Sequence, residues 1–383
     1  MSQSTGWPGT GVPAPRRRGH GAVFFTVIVT LAIVVGALAM ALVLVASGEP
    51  EALGVGLVLA MLPVGPLLAC YFWLDSYEPE PRRLLVAAFF WGALVATSLA
   101  LVVQAADQLI NQSTTAWSAV VVAPFTEELG KGVFVVLLLY LRRNVIDGVI
   151  DGLVYAGLVG VGFAFTENIL YYAGAYTGGP DFGPGGLGSA TALFVVRGIF
   201  SPFAHPFFTS AIGIAAGLAV SRRSRWLGLL LLPIGYAVAV ALHAAWNGST
   251  FIADGQLFVL TYLLAMVPGF FVLAGFAGWA RAREGRILAQ SMQDLAGRGY
   301  LPSHELAWLS RLPARKAARR HAGRVGGPAA ERAMRDYQRQ VIALAALHHR
   351  VLRGRAPDDY AQRGAEIVQQ LAALRSRLMG VSA

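Results

Sequence analysis

The 383-residue sequence predicts an all-α polytopic membrane protein of about eight transmembrane helices, followed by a small soluble helical tail. Composition comes first: 56% of residues are hydrophobic and 14% charged, which is not the profile of a soluble globular chain. Several apolar runs also exceed the ~20 residues that cross a ~30 Å hydrocarbon core. The Arg residues then alternate. Arg16 to Arg18, Arg82-Arg83, Arg142-Arg143, Arg222-Arg223-Arg225 and Arg281-Arg283-Arg286 fall at one end of successive spans, while 47–51, 107–116, 174–189 and 248–256 hold no Lys or Arg. The positive-inside rule then puts both termini in the cytoplasm of a multi-pass cell-membrane protein.

Residues 1–20, rich in Gly, Pro, Ser and Arg, read as a disordered cytoplasmic lead-in. The eight spans fall near 23–46, 52–74, 84–106, 117–140, 149–173, 190–220, 226–247 and 257–280. The first is too long for a signal-peptide core and ends on no convincing cleavage site. Cys70, the single cysteine, reads as a small packed residue of the second span and excludes an internal disulfide. The glycine-rich segment 174–189 is a flexible loop by composition. Pro202 and Pro206 flank His205 in the over-long sixth run, predicting a break that lines a cavity. Asp147 and Asp151 read as helix-start carboxylates of the fifth span.

The membrane region spans 21–281 and the tail 282–383. From Arg281 onward there are 19 basic and 8 acidic residues, so the chain's net charge of +10 lies wholly in the tail. Its expected role is contact with anionic lipid headgroups, with Arg315 to Arg320 as a basic patch. Nucleic-acid binding has no motif to support it. His348-His349 are expected on the solvated surface.

Polar groups inside the apolar runs carry the functional argument. Glu127, Glu128 and Lys131 share one turn of the fourth span, and Glu167, His205, His243 and Asn247 occupy the next three. Charges at membrane depth cost several kcal/mol and persist where they face a protein interior or a cavity. Lys131 follows Glu127 by four residues and Glu128 by three, an order that favours pairing. By topology all these groups fall between mid-membrane and the outer surface; Glu127 lies roughly 15 Å along its helix. Structural readings compete: a Glu–Lys salt-bridge network, Glu167 bound to Arg197, a satisfied core His205, or His243–Asn247 as interhelical glue.

Pro124-Phe-Thr-Glu127-Glu128-Leu-Gly-Lys131 resembles the EExxK block of the PrsW-type intramembrane protease family. Phe163-Ala-Phe-Thr-Glu167-Asn168, His205 before Phe208-Thr209, and His243-Ala-Ala-Trp-Asn247 resemble its later blocks, in order, across about residues 60–280. The related CAAX prenyl proteases share the paired glutamates and HxxxN but differ at the positions of Lys131 and Glu167. The resemblance implies an intramembrane endopeptidase cleaving single-span membrane-anchored proteins, such as an anti-sigma factor, near the non-cytoplasmic face by glutamate-activated water. Two chemistries stay open. His205, His243 and Glu167 supply zinc ligands, or Glu127 or Glu128 activates water while His205, His243 and Asn247 donate to the oxyanion. The sequence contains no HExxH and favours the metal-free version. An ion- or proton-coupled transporter is the alternative, although a relay would extend polar groups to both faces.

Overall fold

The computed structural model describes residues 20–380 apart from 48, 143–144, 181, 223–224, 253–255, 356 and 358. Residues 1–19 of the expected disordered lead-in, together with Arg143 and Arg223, lie outside the described residues, and His20 instead opens α1. Elements run α1 (His20–Ser47), α2 (Pro50–Met61), α3 (Val64–Leu74), α4 (Arg82–Phe90), α5 (Thr97–Asn111), α6 (Thr115–Trp117), α7 (Ala123–Leu141) and α8 (Val149–Thr177). They continue as α9 (Gly186–Phe194), α10 (Ala204–Val220), α11 (Arg225–Gly248), α12 (Gln256–Thr261), α13 (Val267–Gly297), α14 (Leu306–Leu309), α15 (Leu312–Leu352) and α16 (Tyr360–Gly380). The described residues contain no strand beyond one isolated bridge between Gly179 and Gly183.

Among the described residues, seven helices are long and apolar enough to cross a membrane. The helical stretch from Thr115 to Leu141 is not one of the seven, and it is the stretch that carries Glu127, Glu128 and Lys131. π-helical turns join α4 to α5 (Trp91–Ala96), α6 to α7 (Ser118–Val122) and α12 to α13 (Tyr262–Met266), and another follows α9 (Val195–Phe200). After that last turn the helix breaks at Ser201, and α10 restarts at Ala204. The predicted break is therefore present, but Pro206 sits in the first turn of α10, where a missing N–H costs nothing.

Two compact units form, one from the described residues of 18–75 and 80–278, the other from 76–79 and 279 onward. In the first, α8 is the central helix, with few residues reaching the surface. Glycine permits this close packing. A Cβ at Gly162 would lie 1.9 Å from the Phe89 carbonyl oxygen, and one at Gly160 would lie 2.8 Å from the Pro206 backbone. Asp151 opens α8 as expected, its Oδ2 accepting from the Asp147 and Gly148 amides at 2.8 and 2.9 Å. Gly21 near the start of α1 packs on the Leu141 carbonyl at the end of α7, and Gly217 late in α10 packs on Gly148 and Val149. At the other end Tyr176 bonds Glu51 at 2.5 Å.

The second unit closes around Leu288, Met292, Leu295, Leu309, Tyr337, Val341 and Leu371. Three expectations need correction. Arg315 is buried, donating to the carbonyls of Leu309 (2.5 Å) and Tyr77 (3.0 Å), so it is no part of a surface patch. His348 is likewise buried, against Asp294 at 2.5 Å. Cys70 faces outward instead of packing inside.

The α4–α8 contact gives a stability prediction. Gly162→Leu has no room and should lower the thermal midpoint of the detergent-solubilised protein, at a cost of about 2 kcal/mol or more. Gly54→Ala, where no atom lies within 4 Å, should leave that midpoint unchanged or raise it.

Candidate active site

A helix entering with two carboxylates and an ammonium must satisfy them inside the bundle, and α7 does so within one turn. Lys131 and Glu128 are fully buried and Glu127 is 4% exposed. Lys131 Nζ lies 2.7 Å from Glu128 Oε1 and 3.6 Å from Glu127 Oε2. It also sits 4.0 Å above the centre of the Phe163 ring on α8, a cation–π contact in a desolvated setting. Lys131 Nζ further meets His205 Nδ1 at 3.1 Å.

The entry of α7 is fixed from outside the turn. Ser118 donates to Asp107 Oδ2 at 2.6 Å, and Asp107 also accepts from Asn111 and Ser113. Asn247 Nδ2 donates to the Ala119 carbonyl at 2.8 Å, inside the π turn, where carbonyls fall out of helical register. Its amide, expected to serve an oxyanion, thus holds the backbone that leads into the glutamate pair. On the next face, Trp91 Nε1 donates to the Gly130 carbonyl at 2.9 Å.

Both histidines are oriented by a carboxylate on one ring nitrogen. His243 Nδ1 meets Glu128 Oε1 at 3.1 Å, and its ring stacks on Phe208 with centroids 4.9 Å apart. His205 Nε2 meets Glu167 Oε2 at 2.7 Å. Arg197, in the π turn before the break, holds Glu167 at 2.5 Å and Asn168 at 2.7 Å, and covers the Tyr171 ring at 3.9 Å. Thr209 donates to the remaining oxygen of Glu128 at 2.9 Å. With each outer nitrogen as donor, His205 Nδ1 and His243 Nε2 present lone pairs inward. They lie 4.0 and 3.8 Å from one atom, Glu127 Oε2.

That oxygen accepts no hydrogen bond among the described residues although it is buried. Its partner Oε1 has only Gln104 Nε2, at a long 3.4 Å. Glu127, His205 and His243 therefore form a possible metal set, with one ligand atom from each within 4.8 Å of the others. Adjacent ligands of a tetrahedral zinc with ~2.1 Å bonds are about 3.4 Å apart, so to seat an ion these atoms would close in by up to about 1.4 Å and Lys131 Nζ, 3.1 Å from His205 Nδ1, would draw back. Glu167, expected as the third ligand, bonds the outer nitrogen of His205 instead. The carboxylate–histidine pairing at both rings is the usual outer support of a metal-binding imidazole.

All six residues singled out by sequence occur in or beside this cluster, which has the form of a polar cup, five joined side chain to side chain and Asn247 as a brace. Sequence reasoning missed Gln104, Trp91 and the role of Thr209. The signal for Thr209 was its position four residues after His205, on one helix face. Lys131 is the keystone charge. Lys131→Met should destabilise the protein by about 3–5 kcal/mol by stranding buried carboxylates. Adding Glu128→Gln should recover part of the lost thermal midpoint.

Residues 80–273 match the model of a family described as PrsW family intramembrane metalloprotease. Over 184 residues the chain is 29% identical to Protease PrsW of Geobacillus kaustophilus, covering 46% of this chain and 74% of that protein. Protease PrsW of Bacillus subtilis is 24% identical over 231 residues, 58% of this chain and 92% of the relative. The Oceanobacillus iheyensis protein of that name is 28% identical over 186 residues, 48% and 79% respectively. No solved structure matches. Since the matched region is just over half the chain and contains every wall of the cup, this protein belongs to the PrsW family and is a membrane peptidase.

Proposed function

We propose that the cup is the hydrolytic centre of an intramembrane endopeptidase that cleaves membrane-anchored, single-span proteins near the non-cytoplasmic face. The observation that carries this reading is Glu127 Oε2, a buried carboxylate oxygen without a hydrogen-bond donor, faced by the inward nitrogens of two oriented histidines. Most buried polar atoms find a partner, and this one differs from the other unsatisfied atoms, such as Arg315 Nη2, in facing two oriented imidazoles.

Glu127, His205 and His243 would hold a divalent ion such as zinc, which when bound supplies a Lewis acid and a water that ionises near neutral pH. The protein's own groups divide the rest. Glu127 Oε1, only loosely held by Gln104, is the oxygen available to take the proton of the attacking water and return it to the departing amine. Glu128 and Glu167 keep His243 and His205 in the donating tautomer and fix their rings. Arg197 holds Glu167 in turn. One contact favours the metal-free alternative: Lys131 Nζ at 3.1 Å from His205 Nδ1 already puts a cation at the edge of the ion's space. In that version Lys131 stabilises the oxyanion, the histidines join it only once each carries a second proton on its inner nitrogen, and Glu127 alone activates water.

A transporter with the same charges is disfavoured by the family match. The orientation with both termini cytoplasmic rests on the Arg-free alternate loops. The start of α1 packs with the end of α7, and the start of α8 with the end of α10, so those ends share one side of the bundle, as the alternation of Arg requires.

Two outcomes test the reading. Co-expressed with a panel of tagged single-span proteins, the wild type should release fragments that Glu127→Gln reduces at least ~100-fold, with folding intact. Purified protein should carry about one zinc by elemental analysis, lost in His205→Ala and His243→Ala and bound ~10–100-fold more weakly in Glu167→Gln. Chelators without effect on cleavage would select the metal-free version, and an active Glu127→Gln would reject both. For topology, reporters fused in loop 174–189 and at the C-terminus should report opposite sides; agreement between them would reject the orientation.

A further inference from the structure

The second unit lies beyond the family-matched region, and its charges are arranged unevenly. Many of its arginines are neutralised at short range: Arg298 by Asp294, Arg335 by Glu331, Arg339 by Asp336, Arg363 by Asp359 and Arg375 by Glu305. The first arm of α15 is different. Residues 311–330 contain six basic side chains and no acid. Arg315 is buried, but Lys316, Arg320 and Arg324 are exposed, four residues apart on one helix face, and make no ion pair among the described residues. Burial, with the neighbouring Arg335 charge, pushes the Arg319 guanidinium below its ordinary range, and Glu331 partly offsets this.

This face borders a cleft. At Gly326 and Gly327 the backbone leaves helical geometry, Gly327 at φ +69°, and Pro328 opens the second arm. The bend leaves a space of about 540 Å³ lined by Ala317, Arg320, Gly323, Arg324, Pro328 and Glu331. That volume is in the range of small-ligand sites. Glu331 is engaged by Arg335 at 2.9 Å, so Arg320 and Arg324 are the unpaired charges at its wall.

We propose that the Lys316–Arg320–Arg324 face and its cleft bind the phosphate-bearing headgroups of an anionic lipid bilayer. Charge complementarity is the first argument: three unpaired cations at helical spacing match a surface of fixed phosphates. Connectivity is the second. α13 runs as one helix from the last apolar stretch into this unit, so a bilayer is present at high effective concentration by tethering alone. Composition is the third. Residues 311–332 hold no Phe, Tyr or Trp, and so lack the stacking platforms by which single-stranded nucleic acid is held. The inference does not depend on the protease chemistry.

The test uses the full chain in nanodiscs of phosphatidylcholine alone or mixed with phosphatidylglycerol, reading amide hydrogen exchange across 312–325. Each basic residue at an anionic surface contributes about fivefold in partition, so three contribute on the order of a hundredfold. Opening of this arm should slow about tenfold or more with phosphatidylglycerol by linkage, and high salt should reverse the effect. The combined Lys316→Gln, Arg320→Gln and Arg324→Gln variant should lose it, whereas Arg339→Gln with Arg363→Gln should keep it. Equal exchange in both lipids, or protection that survives the triple change, would overturn the proposal. Protection by added inorganic phosphate or single-stranded RNA in phosphatidylcholine discs, exceeding that by phosphatidylglycerol, would overturn it too.

Discussion

Everything in the cup is arranged around one buried ammonium. Isolated in an apolar interior, Lys131 would be prohibitively expensive. Its 2.7 Å pair with Glu128, its place above Phe163 and its contact with His205 tie α7, α8 and α10 to a single point. Glu128 extends the tie to Thr209 on α10 and His243 on α11. Once Glu128 is saturated in this way, Glu127 becomes the group with bonding capacity to spare. Two adjacent glutamates thus acquire unequal roles because one neighbour can fully satisfy only one of them.

The surrounding packing serves that point. α8 is crowded by glycine-mediated contacts along much of its length, and Gly160 brings the backbone of His205 and Pro206 against it. Phe163 and Glu167, one turn apart on α8, then both meet the His205 ring, the first at 5.0 Å between centroids and the second at Nε2. The π turns at 118–122 and 195–200 immediately precede the glutamates and the histidine-bearing break, and each resets the rotation of the helix beyond it.

Much of this is legible in the sequence. A charge inside an apolar run is a strong signal because bilayers penalise it so heavily, and that signal found Glu127, Glu128, Lys131, Glu167, His205 and His243. What sequence could not apportion was rank within the cluster. Whether Glu127 or Glu167 faces both histidines depends on the relative rotation of three helices, which no single-span pattern encodes. Asn247 was assigned to the cavity because HxxxN places it on the face of His243; the irregular carbonyl of Ala119 that captures it leaves no compositional trace. Cys70 faces outward, against expectation, for a different reason. In a membrane the outward and inward faces of a helix are both apolar, so periodicity does not separate them. In the tail, Arg315 and His348 sit in a core assembled from segments far apart in sequence, and local charge counting treats them as surface.

The order in which the chain is made gives the i, i+4 and i, i+3 positions of Lys131 a further consequence. When α7 first partitions into the bilayer, α10 and α11 have not yet been synthesised, so His205, Thr209 and His243 are not there to receive the carboxylates. During that interval the cation carried in the same helical turn is the partner that travels with them, bringing the formal charge of the turn from two negatives to one. The lysine is thus built into the helix as its own chaperone, usable at the moment of insertion and retained as the centre of the finished site. A cation supplied from a later span would serve the folded protein equally well and the nascent one not at all.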